Sequence, residues 1–132
     1  MSIRRILIAV DDQPVSVRAA EFGSELGRSL GGEIALINVN DPAAEYGRAE
    51  QESKRLLNGF RDRLSLPPST PEFVQTGIPG PTIVQKAKEW PADLIVIASH
   101  GRSGVPRALL GSVAEEVIRN APCPVLVVRP QT

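Results

Sequence analysis

The chain has one cysteine, Cys123, which excludes an internal disulfide and fits a reducing compartment such as the cytoplasm. Cys123 stands between Pro122 and Pro124 with no second thiol to resolve it, so it reads as a packing residue. Aromatic residues make up only 4%, too few for the stacked platforms that hold single-stranded nucleic acid. Neither sign of charge is in excess: 15 Lys and Arg stand against 15 Asp and Glu, whereas a dedicated nucleic-acid binder is usually basic. No apolar run approaches the ~20 residues of a membrane span. The opening segment, MSIRRILIAV, lacks the long apolar region and small-residue cleavage site of a signal peptide, and reads as a first strand.

Residues that usually carry catalysis are sparse as well. There is no G-x4-G-K-[ST], hence no lysine gripping phosphates from a P-loop, and Lys54, Lys86 and Lys88 all lie away from the glycine-rich stretch. No G-x-S-x-G nucleophile elbow occurs. The one histidine, His100, has no evident partner to make it a general base, and reads as a loop residue that could touch a ligand.

What is present is a regular alternation. At 132 residues the chain is expected to form one domain that buries roughly two thirds of its unfolded surface. Ile6–Val10 is a continuous apolar run, as in strands buried on both faces. Asp11 and Asp12 stop it, and Ser16 is the expected N-cap of the next helix. Within that helix Ala19, Phe22, Leu26 and Leu30 recur at helical spacing, while Gly23 and Gly27 suggest close packing on a sheet. Gly31-Gly32 ends it. Ile34–Val39 follows as a second strand, then a turn at Asn40-Asp41-Pro42.

A polar helix is expected over Ala43–Leu64, with Ala49, Ser53, Leu56, Phe60 and Leu64 on its inner face. Glu72–Gln75 reads as a third strand, and Pro81 as the first residue of a third helix that carries Ile83, Ala87 and a core Trp90. Asp93–Ala98, Val113–Asn120 and Pro124–Val128 complete the series as strand, helix and strand. The pattern β-α-β-α-β-α-β-α-β predicts an α/β fold, a Rossmann-like open parallel sheet of five strands with helices on both faces.

The stretch Ala98–Ser112, ASHGRSGVPRALLGS, joins the fourth strand to the fourth helix. Its glycines, Gly101, Gly104 and Gly111, let backbone approach an anion, and the helix start supplies free N–H groups. A second reading stands beside this one. Ser112 and Glu115 spell S-x-x-E, a capping box that would use those N–H groups internally. Asp11 is likewise either a strand-end turn residue or a ligand-binding carboxylate. Ligands of such sheets bind at the carboxyl ends of strands where the order reverses. A strand order of 3-2-1-4-5 would bring Asp11 and the glycine stretch together, but local pattern does not establish that order.

Three features together resemble the universal stress protein family: a first strand ending in Val10-Asp11, Gly77-Ile78-Pro79 before the third helix, and SHGRSG…LLGSVAEEVIRNAPCPVLVV over residues 99–128. The resemblance spans essentially the whole chain. It implies the strand order 3-2-1-4-5 and a homodimer joined through the last strand, Val125, Leu126, Val127 and Val128. The family's ATP-binding branch carries G-x2-G-x9-G-[S/T] after the fourth strand. Here this reads Ala98-x2-Gly101-x9-Gly111-Ser112, matched at three of four positions. The resemblance therefore implies an ATP or other adenine-nucleotide site, with Mg2+ as a candidate companion. Gly101, Gly111 and Ser112 would contact phosphates, Asp11 the ribose, and Val39 the base through its backbone. Ala98, His100 and Arg102 would lie beside the ligand. Two departures bear on this: Ala98 replaces the first glycine, and Asp12-Gln13 stands where Gly-Ser is common. The Asp12 carboxylate would either repel a triphosphate or help hold its metal ion. The resemblance thus implies a dimeric stress-response or signalling module, and the lack of an evident base to orient water adds the expectation that it has no significant turnover. A nucleotide-free interaction dimer and a slow ATPase are the alternatives.

Overall fold

The computed structural model of the chain describes residues 2–43, 47–99 and 110–131. Nine elements alternate along it: β1 (Arg5–Ala9), α1 (Pro14–Leu30), β2 (Glu33–Asn40), α2 (Arg48–Arg63), β3 (Glu72–Thr76), α3 (Pro79–Glu89), β4 (Leu94–Ala98), α4 (Ser112–Asn120) and β5 (Val125–Val128). The strands form one sheet in the order β3-β2-β1-β4-β5. Every pairing is parallel, with Ala9 beside Ile37, Ile8 beside Val96 and Ala98 beside Val128. The expected order and architecture are those observed.

β1 and β4 are the apolar runs of the sequence because they occupy the middle of the sheet and are covered on both faces. One face of β1 sends Ile6 and Ile8, followed by Val10 just past its end, into a core shared with Ala19 and Ala20 of α1 and with Leu57 and Phe60 of α2. The other sends Leu7 and Ala9 into a core shared with Ile83, Val84 and Ala87 of α3 and Val117 of α4.

α1 buries only part of the face its apolar spacing suggests: Ala19 is buried and Leu26 packs at the margin of the core. Phe22 and Leu30 are 49% and 48% exposed, and the buried stripe is Ser16, Ala19, Ala20, Gly23, Ser24 and Gly27. The cause is close approach. A Cβ on Gly23 would lie 2.7 Å from Ile8 Cδ1, and one on Gly27 would lie 2.6 Å from Ile34 Cδ1. Only glycine fits at these two positions, as their place in the sequence suggested, and Phe22 and Leu30 turn outward while Val15, Val17 and Leu26 pack at the margin of the core.

Helix starts also differ from expectation. α1 begins at Pro14, whose fixed φ and missing N–H suit a first turn, and Ser16 lies inside the helix rather than capping it. α3 begins at Pro79, not Pro81, for the same reason. α2 begins at Arg48 rather than Ala43. There, Asp41 Oδ1 accepts the Ala43 N–H at 2.8 Å and holds the chain in a turn. In α4, Gly111 occupies the N-cap with no side-chain cap, and Glu115 pairs with Arg119 at 3.2 Å, so the capping-box reading of Ser112 and Glu115 is overturned.

Trp90 lies half-buried at the end of α3 rather than in the core. Its ring meets Phe73 edge-on at 6.1 Å, and the Arg5 guanidinium sits 5.5 Å from its centroid. Beside it, Asp93 Oδ2 accepts the N–H groups of Arg4 and Arg5 at 2.9 and 3.0 Å, tying the start of β1 to that of β4. Those two backbone bonds hold the Asp93 carboxyl below its ordinary pKa. Cys123 packs at the margin of the α3–α4 core, where burial pushes its thiol pKa up. Among the described residues no helix is long and apolar enough to cross a membrane.

Candidate functional site

A cleft of about 540 Å3 opens at the carboxyl ends of β1, β2 and β4, where the order reverses between β1 and β4. Its size lies within the ~300–1,000 Å3 typical of small-molecule sites. The first turns of α1, α3 and α4 border it, through Gln13, Gly80 and Ser112. Each N-terminus turns backbone N–H groups and partial positive charge toward its own end.

Asp11 enters the cleft from the end of β1. Its Oδ1 accepts the Ser16 hydroxyl at 2.7 Å and the Gln13 N–H at 2.9 Å. Its own N–H donates to Ser16 Oγ at 2.9 Å. The carboxylate is thereby fixed by one oxygen, and Oδ2 has no partner among the described residues. Such an oxygen can accept hydrogen bonds from a ligand diol.

Val39 lines the cleft from β2. Residues of a paired strand turn their N–H and C=O alternately to the two neighbouring strands. Leu36 N–H reaches Pro71 C=O at 2.9 Å and Gly77 N–H reaches Asn40 C=O at 3.1 Å, so even-numbered residues of β2 face β3. Val39 therefore faces the β1 side, beyond Ala9, the last β1 residue paired with β2. Its N–H and C=O point into the gap where β1 has turned away.

Ala98 ends β4, lines the cleft and is 8% exposed, being part of the core shared with Ile8, Val10 and α1. Its φ is not positive, since Ser65 alone among described non-glycine residues has that conformation. Alanine is thus accommodated there without strain. Across the cleft, Gly111 N–H donates to Ser99 C=O at 2.6 Å, which sets the start of α4. Ser112, exposed, is the first residue of that helix.

The structure thus brings Asp11, Val39, Ala98, Gly111 and Ser112 to one cleft. His100, Gly101 and Arg102 lie outside the described residues, as does Gly104. Three lining residues escaped the reading of the sequence. Ser16 looked like a cap, whereas it orients Asp11. Asn38 interrupts the apolar run of β2, and that interruption was its signal. Glu116 left no signal, because it reaches the cleft only through the packing of α3 on α4. A Cβ on Gly80 would lie 2.4 Å from Glu116 Cγ, so the glycine admits this side chain, whose carboxylate accepts the Asn120 amide. Among the described residues no group of three or more His, Cys, Asp or Glu side chains could hold a metal ion.

A parallel α/β sheet with a ligand-sized cleft at its switch point defines a binding protein of the doubly wound class. Residues 2–129 match the universal stress protein family, and the chain belongs to it. It is 33% identical to universal stress protein MJ0531 of Methanocaldococcus jannaschii over 139 residues, covering 96% of this chain and 82% of that protein. It is 31% identical to universal stress protein A homolog 2 of Coxiella burnetii over 140 residues, covering 96% of this chain and 94% of that protein. Among solved structures, a universal stress protein in complex with cAMP superposes with a TM-score of 0.82 at 20% identity, covering 99% of this chain and 100% of the other. The universal stress protein of Archaeoglobus fulgidus in complex with dAMP does so with a TM-score of 0.74 at 24% identity, covering 98% and 100%.

Proposed function

We propose that the cleft binds an adenine nucleotide, ATP being the candidate, and that the protein serves as a nucleotide-responsive module without significant turnover. The observation that carries this reading is the set of unpaired groups around one opening. Val39 offers an N–H and a C=O for the base. Asp11 offers Oδ2 for the ribose. The start of α4, with no side-chain cap, offers N–H groups for phosphate. The cAMP and dAMP complexes of structural neighbours agree with a ligand of this kind. Mg2+, where needed, would arrive with the phosphates, because the described carboxylates form no metal cluster. No described group is arranged to orient an attacking water, so hydrolysis should be slow beside the median enzyme turnover of about 10 per second. Residence in the cytoplasm is the expected setting.

The same reading includes a homodimer. β5 lies at the sheet edge, pairs among the described residues with β4 alone, and keeps Val125, Leu126 and Val127 half-buried. Such an edge favours antiparallel pairing with a second copy about a two-fold axis. Light scattering at micromolar concentration should report twice the chain mass.

A thermal-shift series with ATP, ADP, AMP and buffer tests the binding directly, since a ligand of the native state raises its melting temperature. A shift with ATP that Asp11→Ala weakens by about 10- to 150-fold in affinity is the expected result. No shift with any of the three would favour the nucleotide-free interaction dimer. Ala98, a cleft-lining residue that stands where the ATP-binding branch has a glycine, is the feature that favours that second reading.

A further inference from the structure

One side chain decides where the backbone beside the cleft finds its partners. The β1–β2 ladder ends with Val10 N–H on Ile37 C=O at 3.0 Å. One more step would place Val39 N–H on Val10 C=O. That bond is not made. Val10 C=O accepts the side-chain amide of Asn38 instead, at 2.9 Å from Nδ2. Asn38 stands in for the next rung, and the rung's ordinary donor is left turned to the cleft.

Asn38 is itself held from behind. The Ser53 hydroxyl, buried on α2, donates to Asn38 Oδ1 at 2.6 Å. Asn40 Nδ2 donates to Ser53 Oγ at 3.1 Å, and the Thr76 hydroxyl donates to Asn40 Oδ1 at 2.6 Å. The direction of this chain is not arbitrary. A carbonyl can only accept, so Val10 C=O requires the NH2 of Asn38, and each later orientation follows from that one. β3, β2 and α2 thus converge on a single amide.

We propose that Asn38 is a positioning residue that releases the Val39 N–H to the cleft, where it and the Val39 C=O, left free where β1 turns away, read the donor–acceptor edge of a purine base. The base-reading part rests on the nucleotide-binding function proposed above. Adenine carries a ring acceptor beside its 6-amino donor, which matches an N–H and a C=O on one residue. Hypoxanthine carries an oxygen in place of that amino group and does not match. Asn38 therefore contributes base selectivity through the backbone of Val39.

Amide hydrogen exchange, followed by NMR in the ligand-free protein, tests the backbone part. In the wild type the Val39 amide should exchange at least about tenfold faster than those of Asn38 and Asn40, which lie in the β3 ladder. In Asn38→Asp and Asn38→Leu, Val10 C=O loses its side-chain donor and Val39 should take its place, slowing Val39 exchange about tenfold. ATP affinity and the preference for ATP over ITP should each fall by about the same factor. A solely structural role would lower stability and leave the ATP-to-ITP ratio unmoved, which would overturn the selectivity claim. Val39 already protected in the wild type, or unchanged in both variants, would overturn the release itself. Val39 exchange as expected in a wild type that binds no nucleotide would uphold the release and reject the nucleotide reading. Should both variants fail to fold, Ser53→Ala, which frees Asn38 from α2, and the wild-type exchange pattern provide the same decision.

Discussion

Ser16 and Asp11 hold each other by two hydrogen bonds, Asp11 N–H to Ser16 Oγ at 2.9 Å and the Ser16 hydroxyl to Asp11 Oδ1 at 2.7 Å. The pair joins the end of β1 to the first turn of α1, and it selects which carboxylate oxygen remains available to the cleft. Ser24, two turns further along the same buried stripe, has a hydroxyl with no partner. Two serines of similar burial therefore have opposite energetic signs.

Replacing Ser16 by alanine should cost about 1–3 kcal/mol, because the Asp11 N–H is left unpaired. The same change at Ser24 should be neutral or stabilising by up to about 1 kcal/mol, because it removes an unpaired buried hydroxyl. Urea denaturation of the two variants checks the difference in sign. Calorimetry with ATP should show weaker binding only for the Ser16 variant.

Gly23→Ala and Gly59→Ala should also differ in sign. Alanine improves helix propensity at either position by about 1 kcal/mol. At Gly59, on the exposed side of α2, the added Cβ meets nothing within 4 Å, so the gain should appear in the melting temperature. At Gly23 it meets Ile8 Cδ1 at 2.7 Å and Cγ1 at 3.0 Å. Ile8 is fully buried and cannot withdraw, so a net loss of about 1–3 kcal/mol is expected.

Asp93 makes part of the stability dependent on pH. Its folded pKa is depressed below the ordinary 3.8 by the N–H groups of Arg4 and Arg5. A depressed carboxyl contributes stability that is fully present above its unfolded pKa and is lost as pH falls through the folded value. The stability difference between wild type and Asp93→Asn should therefore be constant near neutrality and shrink below pH 3.8. Denaturation midpoints measured from pH 7 to pH 2.5 follow it. A gap that widened on acidification would contradict the assignment.

Ala98→Gly should bind ATP more tightly, by about tenfold or more if the methyl holds the ligand off its cradle. The variant should also be less stable by about 0.5–1 kcal/mol, since glycine in a strand loses more entropy on folding. Tighter binding in a less stable protein is an unusual combination, and it separates a local effect on the cleft from a general one on the fold. Titration calorimetry and thermal melts of the same preparations check both halves. Equal affinities would mean that the methyl does not limit binding.

Much of this protein was legible along the chain. The apolar runs of β1 and β4 declared strands covered on both faces, and the alternation with helical spacing declared a parallel sheet. These are local consequences of burial, so local pattern carries them. Asp11, Gly111 and Ser112 were legible as candidates because strand ends and helix starts are where such sheets meet ligands. Other features were decided only by the tertiary structure. Gly23 and Gly27 announced a close approach of α1 to the sheet, but that Phe22 and Leu30 turn outward and Ser16 and Ser24 inward was not legible, because helical spacing alone does not say which stripe meets the sheet. Ser112 caps nothing, since Gly111 is anchored to Ser99 C=O and takes the N-cap position itself. Asn38 acquires its role from two partners distant in sequence, Val10 and Ser53, the second held in turn by Asn40 and Thr76. The sequence by itself determined which segments become strands and helices and which strand ends carry polar groups. Only packing decided which atoms of those groups are already bonded, and so which remain free for a ligand, because hydrogen bonds are satisfied in three dimensions between residues the chain keeps apart.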